Sequence, residues 1–119
     1  MRIAVTSTGR DLESAVDPRF GRAAYILIVD SDTMDFEVVD NAENVNAFKG
    51  AGIQAASSIS DKQADVLLTG FCGPNAFKVL DAAHIKVGAD VSGTVREAVA
   101  AFVDGKVQLA AAPNAQGHW

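Results

Sequence analysis

Cysteine and histidine are scarce in this chain: Cys72 is the one cysteine, and His84 and His118 are the two histidines among 119 residues. A single thiol forms no internal disulfide and falls well short of the four thiolates that a conventional iron–sulfur cluster takes. The histidines have no cysteine or second histidine at ligand spacing beside them, which excludes a structural zinc site on ligand count. No Ser–His–Asp or Cys–His arrangement can be assembled from them. His84, just before a strand, reads as a capping or partly buried residue rather than a ligand.

Long apolar runs are also missing. None approaches the roughly 20 residues that a membrane span requires, and Met1-Arg2-Ile3-Ala4-Val5 enters strand-like alternation with no signal-type apolar stretch before it. A cytoplasmic protein without a membrane partner is expected. Basic charge is in deficit, with 10 Lys and Arg against 15 Asp and Glu and a net charge of −5. Nucleic-acid binders carry a basic surplus, so no nucleic-acid partner is expected and any anion site must be local. The strands that would carry the metal-binding carboxylates of a nuclease, Arg2 to Thr8 and Val66 to Thr69, contain no acid.

What the chain has is core-forming material: 49% hydrophobic residues against 21% charged ones, too apolar a mixture for disorder. Arg2 to Thr8 reads as a first strand. Gly9 to Arg22 has no period and reads as a loop. Tyr25-Ile26-Leu27-Ile28-Val29, within Ala24 to Asp30, is a near-continuous apolar run of strand length. Met34 to Asp40, with Met34, Phe36 and Val38 on one face, follows closely enough to form an antiparallel hairpin with it. Asn41 to Lys49 reads as polar loop. Helical spacing of Ile53, Ala56 and Ile59 predicts a helix from Gly50 to about Lys62. Val66 to Thr69 is a short buried strand. Pro74 suits a first helical position, with Phe77 and Leu80 as core stripe. Ile85 to Val87 is a strand. Thr94 and Glu97 form a capping box for a helix with Val95, Val99 and Phe102 inward and Gly105 as its stop. These elements predict an α/β domain over residues 1–106, a mixed five-stranded sheet with three helices, followed by a flexible tail over 107–119.

In open α/β sheets ligands lie beyond the carboxyl ends of the strands. Three glycine-bearing turns lead into helices there: Gly50-Ala51-Gly52, Gly70-Phe71-Cys72-Gly73 and Ser92-Gly93-Thr94. Their N–H groups and the helix starts behind them are suited to an anion, with Asn75 on the first turn after Pro74; as readily, such glycines only make tight turns. Gly50 to Ala55 matches a G-x-G-x-x-G/A dinucleotide pattern but lacks the apolar strand that should precede it. Arg19 and Arg22 bracket Phe20-Gly21 and can fork onto one anion, or Arg19 can simply pair with Asp17. Cys72 is either a soft ligand, its thiolate favoured beside a helix start, or a small apolar residue filling a turn.

Several segments in order resemble the dinitrogenase iron–molybdenum cofactor biosynthesis family. They are Met1 to Val5, Val16-Asp17-Pro18-Arg19-Phe20-Gly21-Arg22-Ala23, Gly50 to Ala56, Thr69 to Phe77 and Thr94 to Ala98. The resemblance runs from Met1 to about Lys106. It implies a ribonuclease-H-like fold without nuclease carboxylates, and a non-enzymatic role in storing or delivering metal–sulfur cofactors. A single-domain branch implies a molybdenum–copper sulfide cluster held non-covalently, with an iron–molybdenum cofactor precursor as the alternative cargo and P-loop ATPases of the cell-division type as partners. The expected binding residues are Arg19, Phe20, Gly21, Arg22, Gly50, Gly52, Gly70, Gly73, Asn75 and Thr94, with Cys72 as a metal contact. The competing expectation is a nucleotide-binding protein, or a regulatory partner of an ATPase, with no cluster of its own.

Overall fold

The computed structural model describes residues 1–41 and 51–110. Its strands are β1 (Arg2–Ser7), β2 (Tyr25–Asp30), β3 (Phe36–Asp40), β4 (Val66–Leu68) and β5 (Lys86–Gly88). The helices are α1 (Ala51–Asp61), α2 (Pro74–Ala82) and α3 (Val95–Val103). The sheet order is β3-β2-β1-β4-β5. β1 runs antiparallel to β2, with Val5 opposite Leu27, and parallel to β4, with Val5 opposite Leu68. β2–β3 is antiparallel and β4–β5 parallel. This is the mixed five-stranded α/β sheet with three helices that the sequence predicts.

Both faces of the sheet are covered, which is why β2 reads as unbroken apolar sequence rather than as an alternation. Ala4, Ile26, Ile28, Leu67 and Val87 face one core, filled from α1 and α2 by Ala55, Ala56, Ile59, Ala76 and Leu80. Ile3, Val5, Leu27, Val29, Val66 and Leu68 face the other, closed by Val95, Ala98 and Val99 of α3 and by Leu12 and Val16 of the first loop. Three readings change in detail. α1 buries the small stripe Ala51, Gly52, Ala55, Ala56 and Ile59, whereas Ile53 is exposed. Met34 lies outside β3, in the preceding turn with φ 64°, and Phe36 is exposed. The expected tail begins at 107, yet Leu109 bridges Gly88 antiparallel and the Ala110 N–H donates to Val87 O at 2.7 Å. Residues 107–110 therefore line the open edge of β5, and 111–119 lie outside the described residues.

The long loop between β1 and β2 is held at each step. Ser7 bridges Val16, Ala15 bridges Thr94 and Arg19 bridges Phe71. The loop thus crosses the ends of β1 and β4 before it returns to β2. Among the described residues, no helix is long and apolar enough to cross a membrane.

Candidate functional site at the carboxyl ends of β1 and β4

β1 and β4 are parallel neighbours whose chains leave in opposite directions, β1 toward β2 and β4 through α2 toward β5. That is the switch point at which α/β sheets open a crevice. At this end the structure brings together the Arg19–Arg22 turn, the Gly70–Gly73 turn and the described start of α1.

The first turn is closed by the Arg22 N–H donating to Arg19 O at 3.2 Å, with Gly21 at φ 92°. A Cβ on Gly21 would stand 2.8 Å from both N and Cα of Gly52, so glycine is required by dihedral and by contact. The second turn approaches as closely: a Cβ on Gly70 would lie 2.7 Å from Cα and O of Pro18. The Phe71 N–H donates to Pro18 O at 2.7 Å, and the Phe20 N–H donates to Phe71 O at 3.2 Å. Behind the turns sits a buried polar lattice. Thr6 and Thr69, fully buried at the ends of β1 and β4, have hydroxyl oxygens 2.9 Å apart. Asn41, just after β3 and 2% exposed, donates from Nδ2 to Gly21 O at 3.2 Å and Ala23 O at 2.8 Å. Sequence reading missed Asn41, Thr6 and Thr69, because short polar residues at strand ends look like ordinary turn chemistry.

The expected site residues separate into groups. Arg19, Gly21, Arg22, Gly52, Gly70 and Gly73 are gathered here. Arg19 is half-exposed, with Nε 3.8 Å from Oδ1 of the buried Asp17. Arg22 is half-buried. Gly73 is the N-cap of α2 without a side-chain cap, and the exposed Asn75 follows Pro74 on the first turn. The N–H groups of Asn75 and Ala76 meet no acceptor among the described residues, as befits the first turn of a helix. Gly50 lies outside the described residues.

Three expectations are corrected. Phe20 is 1% exposed and packs in the core with Cys72, Ala76 and Leu80, so it supports the turn from beneath and presents no surface to a ligand. Cys72, also 1% exposed, is enclosed in the same core and presents no sulfur to a ligand, and burial pushes its thiol up to about 12. The apolar reading of Cys72 is the one the structure has. Thr94 caps α3, and every N-terminal donor of that helix is taken. Val95 N donates to Ser14 O, Arg96 N to Leu12 O, and Glu97 N to the Thr94 hydroxyl. That helix start has no donor left for an anion. Among the described residues, no three His, Cys, Asp or Glu side chains gather as a metal site.

The family model described as dinitrogenase iron-molybdenum cofactor matches residues 1–105. Among solved structures, the apo orange protein of Desulfovibrio gigas is 53% identical over 96% of each chain, with a TM-score of 0.93. A Thermotoga protein described as NifB, of the DUF35 family, is 36% identical over 98% of each chain, with a TM-score of 0.83. A dinitrogenase-type protein of Methanocaldococcus jannaschii, 16% identical over 95% of this chain and 97% of its own with a TM-score of 0.69, shares the fold. No curated protein matches the chain.

Proposed function

The chain belongs to the dinitrogenase iron-molybdenum cofactor family, and from that premise we propose that it stores or delivers an anionic metal–sulfur cluster, without catalysis. The cluster is a molybdenum–copper sulfide held non-covalently at the ends of β1 and β4. Arg19 and Arg22 supply the positive charge. Gly21, Gly52 and Gly70 let the turns close on one another with no side chain between them, Gly73 leaves the start of α2 without a side-chain cap, and Asn75 with the first turn of α2 supplies hydrogen-bond donors.

The observation that carries this reading is the donor set at the convergence of the turns. Two arginines stand there in a chain of net charge −5, and the one thiol is buried and protonated. A bare metal ion would find too few ligands among the described residues. A cluster that brings its own sulfides needs none from the protein. It requires local positive charge and hydrogen-bond donors, which Arg19, Arg22 and the start of α2 would supply. The exchange partners of such a carrier are P-loop ATPases in the cytoplasm, and nucleic acid has no part in it.

The test is reconstitution. Purified protein is incubated with tetrathiomolybdate and copper, desalted, and assayed by visible absorption and elemental analysis. Co-elution of molybdenum, copper and colour with the protein at a fixed ratio is expected. Colour that leaves on the desalting column overturns the reading, and leaves the regulatory partner without a cluster in its place.

A further inference from the structure

The two turns that face one another at the site spend their own backbone donors. The Arg19 N–H donates to Asp17 Oδ1 at 3.0 Å, the Phe20 N–H to Phe71 O at 3.2 Å, the Arg22 N–H to Arg19 O at 3.2 Å, and the Phe71 N–H to Pro18 O at 2.7 Å. A cradle for phosphate or another oxyanion works the other way, with successive N–H groups turned outward to replace a tightly held hydration shell. These turns have the glycines of such a cradle with many of its donors turned inward.

The same turns are flanked by apolar surface. Phe71 is 38% exposed although its backbone bonds to both Pro18 and Phe20. Ile53 is 40% exposed and directly follows Gly52, the residue packed against Gly21. These are two of the six large apolar side chains that the described residues expose; Phe71 pairs through its backbone with the Arg19–Arg22 turn, and Ile53 is next in chain to the glycine that packs on it.

Oxyanions are strongly hydrated, and apolar neighbours around them make desolvation costly. Sulfide ligands are large, polarisable and weak hydrogen-bond acceptors. They lose little on leaving water and make favourable contacts with aromatic rings, whose edges are electropositive. Resting on the cluster-binding function proposed above, we propose that Phe71 and Ile53 set the selectivity of this site. They admit sulfide-bearing anions and turn away oxyanions of the same charge and shape. The arginines supply attraction for either class, and the apolar pair decides between them.

The experiment compares two probes of one geometry, tetrathiomolybdate and molybdate, by equilibrium dialysis against wild type, Phe71→Ser, Ile53→Ser and the double variant, with Phe71→Leu as the conservative control. Wild type should bind tetrathiomolybdate at least tenfold more tightly than molybdate. The double variant should lose roughly tenfold toward tetrathiomolybdate and nothing toward molybdate, and Phe71→Leu should retain most of the affinity. Melting curves show that each variant is folded before it is assayed. Equal weakening toward both anions, unchanged tetrathiomolybdate affinity in the double variant, or equal wild-type affinity for the two probes overturns the selectivity role while the binding function stands. If wild type binds neither probe, both fall together.

Discussion

The Thr6 hydroxyl donates to the main-chain oxygen of Asp17 at 2.7 Å, and the Asp17 N–H donates back to Thr6 O at 2.9 Å. Thr6 has one hydroxyl proton and a carbonyl only accepts, so Thr69, 2.9 Å away, must donate its own proton to Thr6 Oγ1. The end of β1 is thereby locked to the start of the arginine turn and to the end of β4. Thr6→Val keeps the shape and strands two buried polar partners, at a cost of about 1–3 kcal/mol. Thermal unfolding should show a fall of roughly 4 °C per kcal/mol. Amide exchange should quicken at Arg19 and Phe20 before the core opens. An unchanged melting temperature would mean that the lattice contributes nothing to the fold.

Gly21 and Gly52 make a backbone contact that admits no Cβ. Gly21→Ala adds that atom against main chain and forces alanine to hold φ near 92°, a combined cost of about 2 kcal/mol or more. The variant should melt lower and lose cluster retention more than in proportion to its stability, because the turn itself is displaced. Retention equal to wild type in a folded Gly21→Ala protein would place the anion elsewhere.

The fold was legible because its elements are written in short-range pattern: the apolar run of β2, Pro74 at the start of α2, the Thr94–Glu97 box. The site was half legible. Its glycines and arginines could be read, since Gly21 and Gly70 stand where side chains cannot. Which turns still had donors to give could not, because the bonds that consume them join residues far apart in sequence, such as Phe71 with Pro18. The same distance hid the fate of Thr94, whose helix start is sealed by Leu12 and Ser14. Cys72 was ambiguous for another reason. A helix start favours a thiolate and a core opposes it, and only the packing around Phe20 and Leu80 shows that the core wins.

The three helices among the described residues end in the same way, with the residue past the C-cap in the left-handed region and bonds back to the last turn. Gly105 fills this place after α3, but Gln63 and His84 fill it after α1 and α2, at φ 60° and 62°. The Ile85 N–H donates to Leu80 O at 2.9 Å and the His84 N–H to Asp81 O at 3.0 Å, which completes the motif for α2. Glycine removes the strain of a side chain there and gives back part of the gain as unfolded-chain entropy. Gln63→Gly and His84→Gly should therefore each stabilise by about 0.5 kcal/mol, a rise of roughly 2 °C by calorimetry. A fall in melting temperature for His84→Gly would reveal an imidazole contact worth more than the strain.

Arg19 leans toward Asp17 at 3.8 Å and is half-exposed, so its contribution to holding an anion is screened. Arg19→Ala should weaken cluster binding by no more than about tenfold, equivalent to about 1.4 kcal/mol, and less at high salt. The half-buried Arg22 should matter more. An absorbance titration across an ionic-strength series checks both. Wild-type affinity should fall as salt rises, and the slope should be shallower in each variant. Unchanged slopes in both would remove the arginines from the site.

Burial lifts the Cys72 thiol from an ordinary 9.0 to about 12. In the unfolded chain the thiol ionises near its ordinary value, so above about pH 9 the unfolded state releases a proton that the folded state keeps. The burial contribution is therefore fully present below pH 9 and is lost progressively as pH rises from 9 toward 12. Cys72→Ala removes this ionisation along with some packing. Between pH 7 and 8.5, wild type should be the more stable of the two. Above pH 9, wild-type stability should decline more steeply than that of the variant, measured by denaturant unfolding at each pH. At pH 8 the native thiol should also resist a disulfide-exchange reagent and react fully once the protein is unfolded. Rapid labelling of the native protein at pH 8, or parallel pH profiles for wild type and Cys72→Ala, would show a thiol that reaches the surface as thiolate. Cys72 would then return as a metal contact.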